Sequence, residues 1–522
     1  MATHPGPPGP RPVPLGKRQV QVVIGALMIT VLLAALDQNI LATAMPTVVS
    51  DLGGLDRYPW VITAYLLTGT AAMPLYGRIG DLRGRRPVLM FAIGTFVAGS
   101  VLCGVSQTIL ELILARGVQG IGAGGLVVLA FTIVSQIVPP AERGRRQGSF
   151  GAIFGVASLA GPLLGGYLAE HGWRWIFFLN IPLGLAALAA VAWGLRALPR
   201  PAGTGRVDLR GCVFLVAGTA GLVLAASWGG GQYSWGDPHV TGALVFAAVM
   251  LALLVRAELG ARTPLLPIRL LRIRSFWVGG SAAFLLGIVM FGSIVYLPVY
   301  LQLEQGRSPT VSGLMLLPLM GTLTLVSVAA GWAISRTGRY KWFIVAGAVL
   351  TAAGVLAGTG LSQHTPLSWI YAMMAVTGAG LGLCVQPLVL VVQAELPPPD
   401  LGAGTATGAF LRQLGASFGV AILGTILTAG LRSQAGHGAA ASPVTSLPGQ
   451  AGGAPHGSLT SFADALHTVF AVAGGCGLLL VAITLIIPDL PLRRPPRGGP
   501  EAAPSAGAAA GLQHGQLRSA PR

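Results

Sequence analysis

The chain has 522 residues, of which 53% are hydrophobic and only 9% are charged, and its mean hydropathy is +0.72. A soluble globular protein cannot bury so large an apolar share, so the composition predicts an all-α integral membrane protein. The net charge of +17 would suit nucleic-acid binding, but the basic residues stand singly or in short groups between apolar runs. They form neither a patch nor a stripe, and we expect no nucleic-acid partner.

The apolar runs predict fourteen helices that each cross the lipid bilayer. They cover residues 20–46, 58–77, 87–106, 110–138, 147–169, 175–195, 210–228, 240–256, 276–300, 311–334, 342–361, 367–392, 402–430 and 466–488. Proline-rich linkers divide them into a six-helix bundle at 20–196, two inserted helices with their flanking loops at 197–275, and a second six-helix bundle at 276–488. Low-complexity composition predicts disordered tails at 1–19 and 489–522 and a flexible loop at 431–463.

The distribution of basic residues predicts the orientation. With the N-terminus inside, 27 of the 33 Lys and Arg residues fall in the tails and inner loops and only four in the outer loops. The remaining two, Arg116 and Arg412, lie inside spans. We therefore expect a multi-pass protein of the bacterial plasma membrane with both termini in the cytoplasm.

The first span carries an acid, Asp37, in its outer half. A carboxylate at this depth costs several kcal/mol unless it is paired, hydrated or protonated, which favours a proton or cation site. Two alternatives are a structural acid fixed to a basic neighbour and a cleaved signal peptide ending at Ala42-Thr43-Ala44. The many later spans disfavour the signal peptide.

Arg116 provides a basic neighbour for Asp37. It lies about 10 Å, and Asp37 about 16 Å, below the outer ends of their helices, at 1.5 Å per residue. We expect a direct or water-bridged pair, in which the arginine favours the charged carboxylate and desolvation favours the neutral acid. Opening to either side would change this balance, so the pair is the predicted proton-coupling site. A structural role in binding carbonyls is the alternative for Arg116 and for Arg412.

An internal repeat relates the two halves. Gly77–Arg86 follows the second span, Gly331–Lys341 follows the tenth, and Ser335 replaces Asp81 in the second copy. Repeated bundles of this kind are typical of transporters. In the first copy, Asp81 lies among arginines at the membrane surface, where ion pairs between helix ends can form in one conformation and break in the other. This predicts a gate; an ordinary basic anchor is the alternative, at least for the arginines.

The fifth span carries small residues at helical spacing. Gly151, Gly155, Ser158, Pro162 and Gly166 share one face, against which another helix can pack closely. Pro162 also removes a backbone hydrogen bond and permits a kink. Close packing here would seal the pathway against proton leak, although it is also expected of any glycine-rich membrane protein.

Five sequence patterns resemble the fourteen-helix drug:proton antiporter family of the major facilitator superfamily, the EmrB/QacA type. The patterns are Leu36–Pro46, Gly77–Arg86, Arg116–Gly122, Gly161–Gly166 and Trp173–Pro182, and the resemblance runs from about Val20 to Pro488. It implies two six-helix bundles plus two inserted helices, and a gate that includes Gly77, Asp81, Arg85 and Arg86. It also implies an antiporter motif of Gly161, Pro162, Gly165 and Gly166.

The combined prediction is a proton-coupled antiporter, and not an enzyme, that exports hydrophobic drugs or antibiotics by alternating access. The alternatives are an exporter of one metabolite that the cell makes, such as a siderophore or its own antibiotic, and a proton symporter for uptake. A channel would need a polar ring or filter, and scattered single charges do not provide one. A membrane enzyme would need a catalytic cluster, and the eight histidines lie mostly in tails and loops. We expect a monomer that the proton gradient powers and that needs no metal or organic cofactor. We also expect no nucleotide, since the phosphate-binding glycine pattern is missing from the sequence.

The substrate site is predicted from Arg412 and from aromatic, methionine and amide side chains inside the spans. Away from the span ends, where water can reach acids such as Glu111, the predicted spans contain one acid and two arginines. The pathway therefore has a formal charge near +1, which favours neutral or weakly acidic aromatic substrates over dications. The candidate wall residues are Arg412, Tyr65, Phe291, Met315, Gln386 and Gln413.

Overall fold

The computed structural model describes residues 16–52, 58–197, 208–229, 233–260, 270, 272–307, 309–397, 400–434 and 456–489. Most of the predicted tails and of the 431–463 loop therefore lies outside the described residues. Within the described ranges the chain forms sixteen α-helices. They are α1 Lys17–Leu52, α2 Tyr58–Arg83, α3 Arg85–Val105, α4 Ile109–Ile137, α5 Pro140–Gly172, α6 Trp175–Phe178, α7 Asn180–Gly194, α8 Leu209–Trp228, α9 Pro238–Gly260, α10 Arg274–Leu303, α11 Pro309–Met315, α12 Leu317–Thr337, α13 Lys341–Ala357, α14 Leu367–Gln393, α15 Leu401–Gln434 and α16 His456–Leu485.

The helices agree with the predicted membrane-spanning segments: twelve of the fourteen segments each lie largely in one helix, and the segments 175–195 and 311–334 are each divided between two consecutive helices. In the described part of the chain, eleven helical segments are long and apolar enough to cross a membrane, and 210–226 forms a shorter apolar helix. The helices at 58–83 and 140–172 are long enough but carry more polar and charged residues. The all-α membrane class is thus confirmed, whereas the number fourteen stays a prediction.

Local chemistry explains several helix ends. Thr108 accepts a hydrogen bond from the backbone N–H of Glu111 at the start of α4, and Asp208 accepts two at the start of α8. Helix α12 ends at Gly338, whose φ of 71° is the left-handed conformation that glycine adopts without a steric penalty. These caps fix where α4 and α8 begin and where α12 ends.

The helices pack into two groups. In the first half, α1 packs on α5 and α7, while α4 packs on α2 and α3. In the second half, α10 packs on α15, while α14 packs on α12 and α13. Helices α8 and α9 pack on each other, and α8 also contacts α2 and α15. Large apolar side chains on the outer surface, such as Phe91, Leu325 and Leu479, are more than half exposed, as expected of a surface that faces lipid.

The two halves meet where α2 packs on α15 and α5 packs on α12. We call the end of the bundle that holds the loops after α2, α4 and α12 the basic end, since these loops and the adjoining helix ends carry nine of the described arginines. Near this end, an added Cβ on Gly144 would lie 2.9 Å from the Gly331 carbonyl oxygen, and one on Gly148 would lie 2.9 Å from the Ser327 carbonyl oxygen. The small residues therefore permit close contact between the halves.

Candidate functional site

The carboxylate of Asp37 lies at the centre of a buried hydrogen-bond network. Its side chain is almost fully buried, at 1% exposure for the residue. Oδ2 accepts a hydrogen bond of 2.7 Å from Arg116 Nη1. Oδ1 accepts one of 2.8 Å from Gln119 Nε2 and one of 2.9 Å from Asn180 Nδ2. Three donors from two other helices thus surround a carboxylate that α1 holds inside the bundle.

A second layer of contacts fixes the donors. Gln119 Oε1 accepts a 2.7 Å hydrogen bond from Arg116, and Gln119 Nε2 donates to Ser100 Oγ at 2.7 Å. Asn180 Nδ2 also donates to Ser100 Oγ, at 3.3 Å. The guanidinium of Arg116 lies 4.0 Å from the ring centroid of Tyr65, a cation–π contact. Helices α1, α2, α3, α4 and α7 all contribute to this network.

The sequence of α4 makes the network possible. Arg116 and Gln119 are three residues apart and therefore lie on one face of the helix. Gly99 on α3 allows this face to approach, since an added Cβ would lie 2.5 Å from the Gln119 Cα. Leaving one partner of such a buried ion pair alone costs about 3–5 kcal/mol, so its protonation state and the helix arrangement are coupled. Protonation of Asp37 would remove the charge that holds Arg116 and turn one acceptor into a donor.

A second cluster connects the two halves at the basic end. Asp81 Oδ1 accepts hydrogen bonds from Arg85 Nη2 at 2.9 Å and from the backbone N–H of Gly402 at 3.2 Å. Asp81 Oδ2 accepts one from the backbone N–H of Ala403 at 2.9 Å. The acid of the first half thus caps the N-terminus of α15 in the second half, where the free N–H groups and the helix dipole favour a negative charge. Burial raises the pKa of the Asp81 carboxyl, while Arg85 opposes this shift.

Two arginines that follow Asp81, Arg85 and Arg86, bind within their own half, whereas Arg78 lies 4.0 Å from Asp400 of the second half. Arg85 Nη1 donates to the Thr132 carbonyl oxygen at 3.0 Å and to Gln136 Oε1 at 2.9 Å. Arg86 Nη2 donates to the Ala192 carbonyl oxygen at 2.9 Å. These bonds fix the start of α3 against α4 and α7. The loop is therefore held on the first half while Asp81 reaches the second.

Further contacts bring the halves together near Asp81. An added Cβ on Gly77 would lie 2.5 Å from both the Ala406 Cβ and the Gly402 carbonyl oxygen. Gln147 Nε2 of α5 donates to Gln393 Oε1 of α14 at 3.2 Å. The structure is consequently closed between the halves at the basic end.

A cavity that is partly continuous with solvent lies between the halves beside this contact. Its lining comes from α4 of the first half and from α10, α14 and α15 of the second. The lining residues are Val127, Val128, Phe131, Ala283, Leu286, Val385, Leu388, Val389, Val392, Thr405, Gly408, Ala409 and Arg412. Arg412 is the charged member of this otherwise mostly apolar set, which suits a hydrophobic small molecule.

Comparisons with known proteins identify the family. The model of the Major Facilitator Superfamily matches residues 27–420. The chain belongs to this superfamily. Its members are transporters, so this protein is a multi-pass membrane transporter and not an enzyme.

The relatives of this chain include transporters of several kinds. An uncharacterized MFS-type transporter of Mycobacterium tuberculosis is 38% identical over 482 residues, which are 90% of this chain and 70% of that protein. The multidrug transporter protein MdtP of Bacillus subtilis is 35% identical over 409 residues, 78% of this chain and 75% of its own. Among solved structures, the proton:xylose symporter XylE has a TM-score of 0.65 at 13% identity and covers 92% of this chain and 98% of its own. This last likeness shows the fold alone.

The structure distributes the predicted superfamily residues over three places. Asp37 and Arg116 are in direct contact, and Gly77, Asp81, Arg85 and Arg86 lie together at the basic end. On α5, Gly151 and Gly155 face Ser327 and Thr324 of α12, whereas Gly161 faces Asn39 of α1, and Gly165 is buried. The surroundings of Pro162 and Gly166 lie outside the described part of the chain.

The predicted substrate-binding residues are scattered. Arg412 lines the cavity, and Gln413 is its half-buried chain neighbour. Gln386 is buried beside the lining residue Val385. Tyr65 lies in the Asp37 network, while Met315 and Phe291 pack in apolar clusters of the second half. Of the six predicted residues, one, Arg412, is among the residues that line the cavity.

Sequence reasoning did not single out Gln119, Ser100 or Asn180. Gln119 and Asn180 stand inside the family-like patterns, and Gln119 is a polar residue one helical turn from Arg116. That spacing was the available signal for Gln119. Ser100 carried none, because small hydroxyl residues in a span often bond their own backbone, as Ser100 also does with the Phe96 carbonyl oxygen at 3.0 Å.

Proposed function

We propose that this protein is a proton-coupled antiporter that exports hydrophobic drugs or antibiotics by alternating access. In this proposal it works as a monomer in the bacterial plasma membrane, with the basic end in the cytoplasm. The observation that carries the proposal is the Asp37 carboxylate, buried within a span and bound by Arg116, Gln119 and Asn180.

A titratable group at this position can couple proton binding to conformation. While Asp37 is charged, three hydrogen bonds, one of which is also an ion pair, hold α1, α4 and α7 together. A proton that arrives from the outer side neutralises Asp37 and weakens these contacts. The helices of the first half are then free to rearrange, and release of the proton to the cytoplasm restores the network.

The contacts at the basic end supply the second element of alternating access. Asp81 bonds to the N-terminus of α15, and Gly77 permits α2 and α15 to touch. In this proposal these contacts close the cytoplasmic side while the cavity is open outward, and they break when the protein opens inward. The likeness to the multidrug transporter protein MdtP supports a drug as the cargo, and the mostly apolar cavity lining supports a hydrophobic one.

Efflux from inside-out vesicles tests the proposal. Vesicles that contain the protein should accumulate a hydrophobic dye when respiration acidifies their lumen, and a protonophore should stop the accumulation. Vesicles from cells without the protein are the control. Accumulation that persists unchanged without a proton gradient would contradict proton coupling.

A further inference from the structure

We propose that Arg412 makes the central cavity a binding site for aromatic compounds that carry one negative charge. The inference rests on the proposed export function only for the direction of transport, since the site itself is a property of the cavity. It names the class of substrate: flat, apolar molecules with a sulfonate, carboxylate or phenolate group.

Arg412 differs in its contacts from Arg116, the other arginine inside a span. Within the described residues its guanidinium makes no hydrogen bond and no ion pair. Arg116, which also lies inside a span, bonds to Asp37 and Gln119 and stacks on Tyr65. Burying a cation without compensation costs several kcal/mol, so an unpartnered arginine inside a membrane protein is expected to meet its counter-charge in a ligand.

The depth of Arg412 in the membrane also suits a residue that binds substrate. It is the twelfth residue of α15, which places it about 16 Å from the N-terminus of that helix at 1.5 Å per residue. The hydrocarbon layer is about 30 Å thick, so Arg412 lies near its middle. Binding sites of transporters lie at this depth, between the two repeats.

The wall of the cavity is mostly apolar and contains no acid. Ten of the thirteen lining residues are aliphatic or aromatic, the exceptions being Thr405, Gly408 and Arg412. Phe131 provides an aromatic face from the first half. None of the thirteen is acidic, so nothing in the lining competes for the guanidinium or attracts a cation. The wall therefore fits an amphiphilic anion better than a cation.

Helix α15 connects the cavity to the contacts at the basic end. Helix α15 carries both Arg412 and, at its N-terminus, the two backbone N–H groups that bind Asp81. Thr405, which lines the cavity, accepts a hydrogen bond of 2.9 Å from Gln393, which in turn bonds to Gln147 of the first half. A ligand that binds Arg412 therefore contacts α15, the same helix whose N-terminus binds Asp81 at the basic end.

Two dyes with the same aromatic skeleton test the charge preference directly. 1-Anilinonaphthalene-8-sulfonate is an anion, and N-phenyl-1-naphthylamine is the same skeleton without the sulfonate. Binding of each is measured with purified protein in nanodiscs of neutral lipid. Arg412→Gln should weaken sulfonate binding by at least about tenfold and change binding of the neutral dye by less than about twofold, as for a charge-assisted contact. Arg412→Lys should retain most of the sulfonate affinity. Arg339→Gln removes an exposed charge elsewhere and should change neither dye.

A second pair of variants leaves Arg412 in place and so guards against misfolding. Ala409 also lines the cavity and lies three residues before Arg412, on the same face of α15. Ala409→Glu supplies a counter-charge and should abolish the preference for the sulfonate, whereas Ala409→Gln, of matched size, should keep it. Equal losses for both dyes in Arg412→Gln, or equal behaviour of the Glu and Gln variants at 409, would overturn the inference.

The binding assay separates this inference from the proposed function. Sulfonate binding that depends on Arg412, without proton-driven transport, would support the site and contradict the antiporter. Proton-driven transport of the neutral dye, with sulfonate binding that is independent of Arg412, would support the antiporter and overturn the site.

Discussion

The loops that follow α2 and α12 occupy equivalent places in the two halves, and both pass through a glycine with positive φ, Gly84 at 93° and Gly338 at 71°. The first glycine of each copy also meets the opposite half, Gly77 at α15 and Gly331 at α5. The copies differ in the residue between these glycines. Asp81 bonds across to α15, whereas the Ser335 hydroxyl donates to the Trp332 carbonyl oxygen of its own helix at 2.8 Å.

The arginines inside the spans of the two halves differ in the same way. Arg116 has its charge compensated by Asp37, while Arg412 has no bonded partner in the described part of the chain. The duplication thus repeats the backbone and the close helix contacts but not the charges. We interpret the first half as the part that handles the proton and the gate, and the second half as the part that holds the substrate's charge.

The largest expected effect comes from removing the acid of the first half. Asp37→Asn keeps the shape of the side chain but leaves Arg116 without a counter-charge, so proton-driven efflux should fall to the level of vesicles without the protein. Asp51→Asn is a matched control, because Asp51 lies on the same helix but at its exposed end, bound to Trp173 and Arg174.

Normal efflux by the Asp37→Asn variant, with an unchanged pH dependence, would show that Asp37 is structural. The thermal unfolding midpoint must be measured alongside, since an uncompensated buried cation destabilises by about 3–5 kcal/mol. Loss of efflux in a variant that still inserts and binds dye is the predicted result.

The second effect concerns the close contact at the basic end. Gly77→Val places side-chain atoms where Gly402 and Ala406 already lie, so the halves cannot close and the efflux rate should fall by about tenfold or more, as for an assembly misplaced by 1 Å or more. Gly94→Val is the control, because a Cβ at Gly94 meets nothing within 4 Å. Equal rates for the two variants would contradict the gate.

A smaller effect is expected at the position that distinguishes the two copies. Asp81→Asn keeps one acceptor for the N–H groups of α15 but loses the charge, so the maximal efflux rate should fall about three- to tenfold, with dye affinity nearly unchanged. Ser335→Ala in the second copy should change the rate by less than about twofold, because its hydroxyl bonds locally. Weakened dye binding at an unchanged rate would place Asp81 in the substrate site instead.

The chain itself showed which residues lie deep in the membrane, but not which way they face. The depths of Asp37 and Arg116 follow from counting along single helices, and their pairing was predictable on that basis. The partners of Asp81 were not, since Gly402 and Ala403 lie more than 300 residues away and offer only backbone N–H groups. Tyr65 was expected at the cavity wall but stacks on Arg116, because the rotation of a helix about its axis depends on packing that no single helix encodes.

The smallest effect concerns stability at the two glycines. Gly338→Ala should lower the free energy of unfolding by about 1 kcal/mol, because its φ of 71° and ψ of 6° lie near the left-handed helical region. Gly84→Ala should cost more, about 1–3 kcal/mol, since φ of 93° with ψ of 141° is a region that L-residues rarely adopt. Thermal unfolding of the purified variants checks the order. A larger loss at 338 than at 84 would contradict the backbone argument.

Proton counterflow in proteoliposomes tests the central claim, that Asp37 couples substrate export to proton entry. Liposomes loaded with dye and a pH indicator are diluted into dye-free buffer without any imposed proton gradient. Outward flow of dye should then drive protons inward, acidify the lumen, and do so only when Asp37 is present. Dye efflux without acidification in the wild-type protein, or equal acidification with the Asp37→Asn variant, would contradict the account.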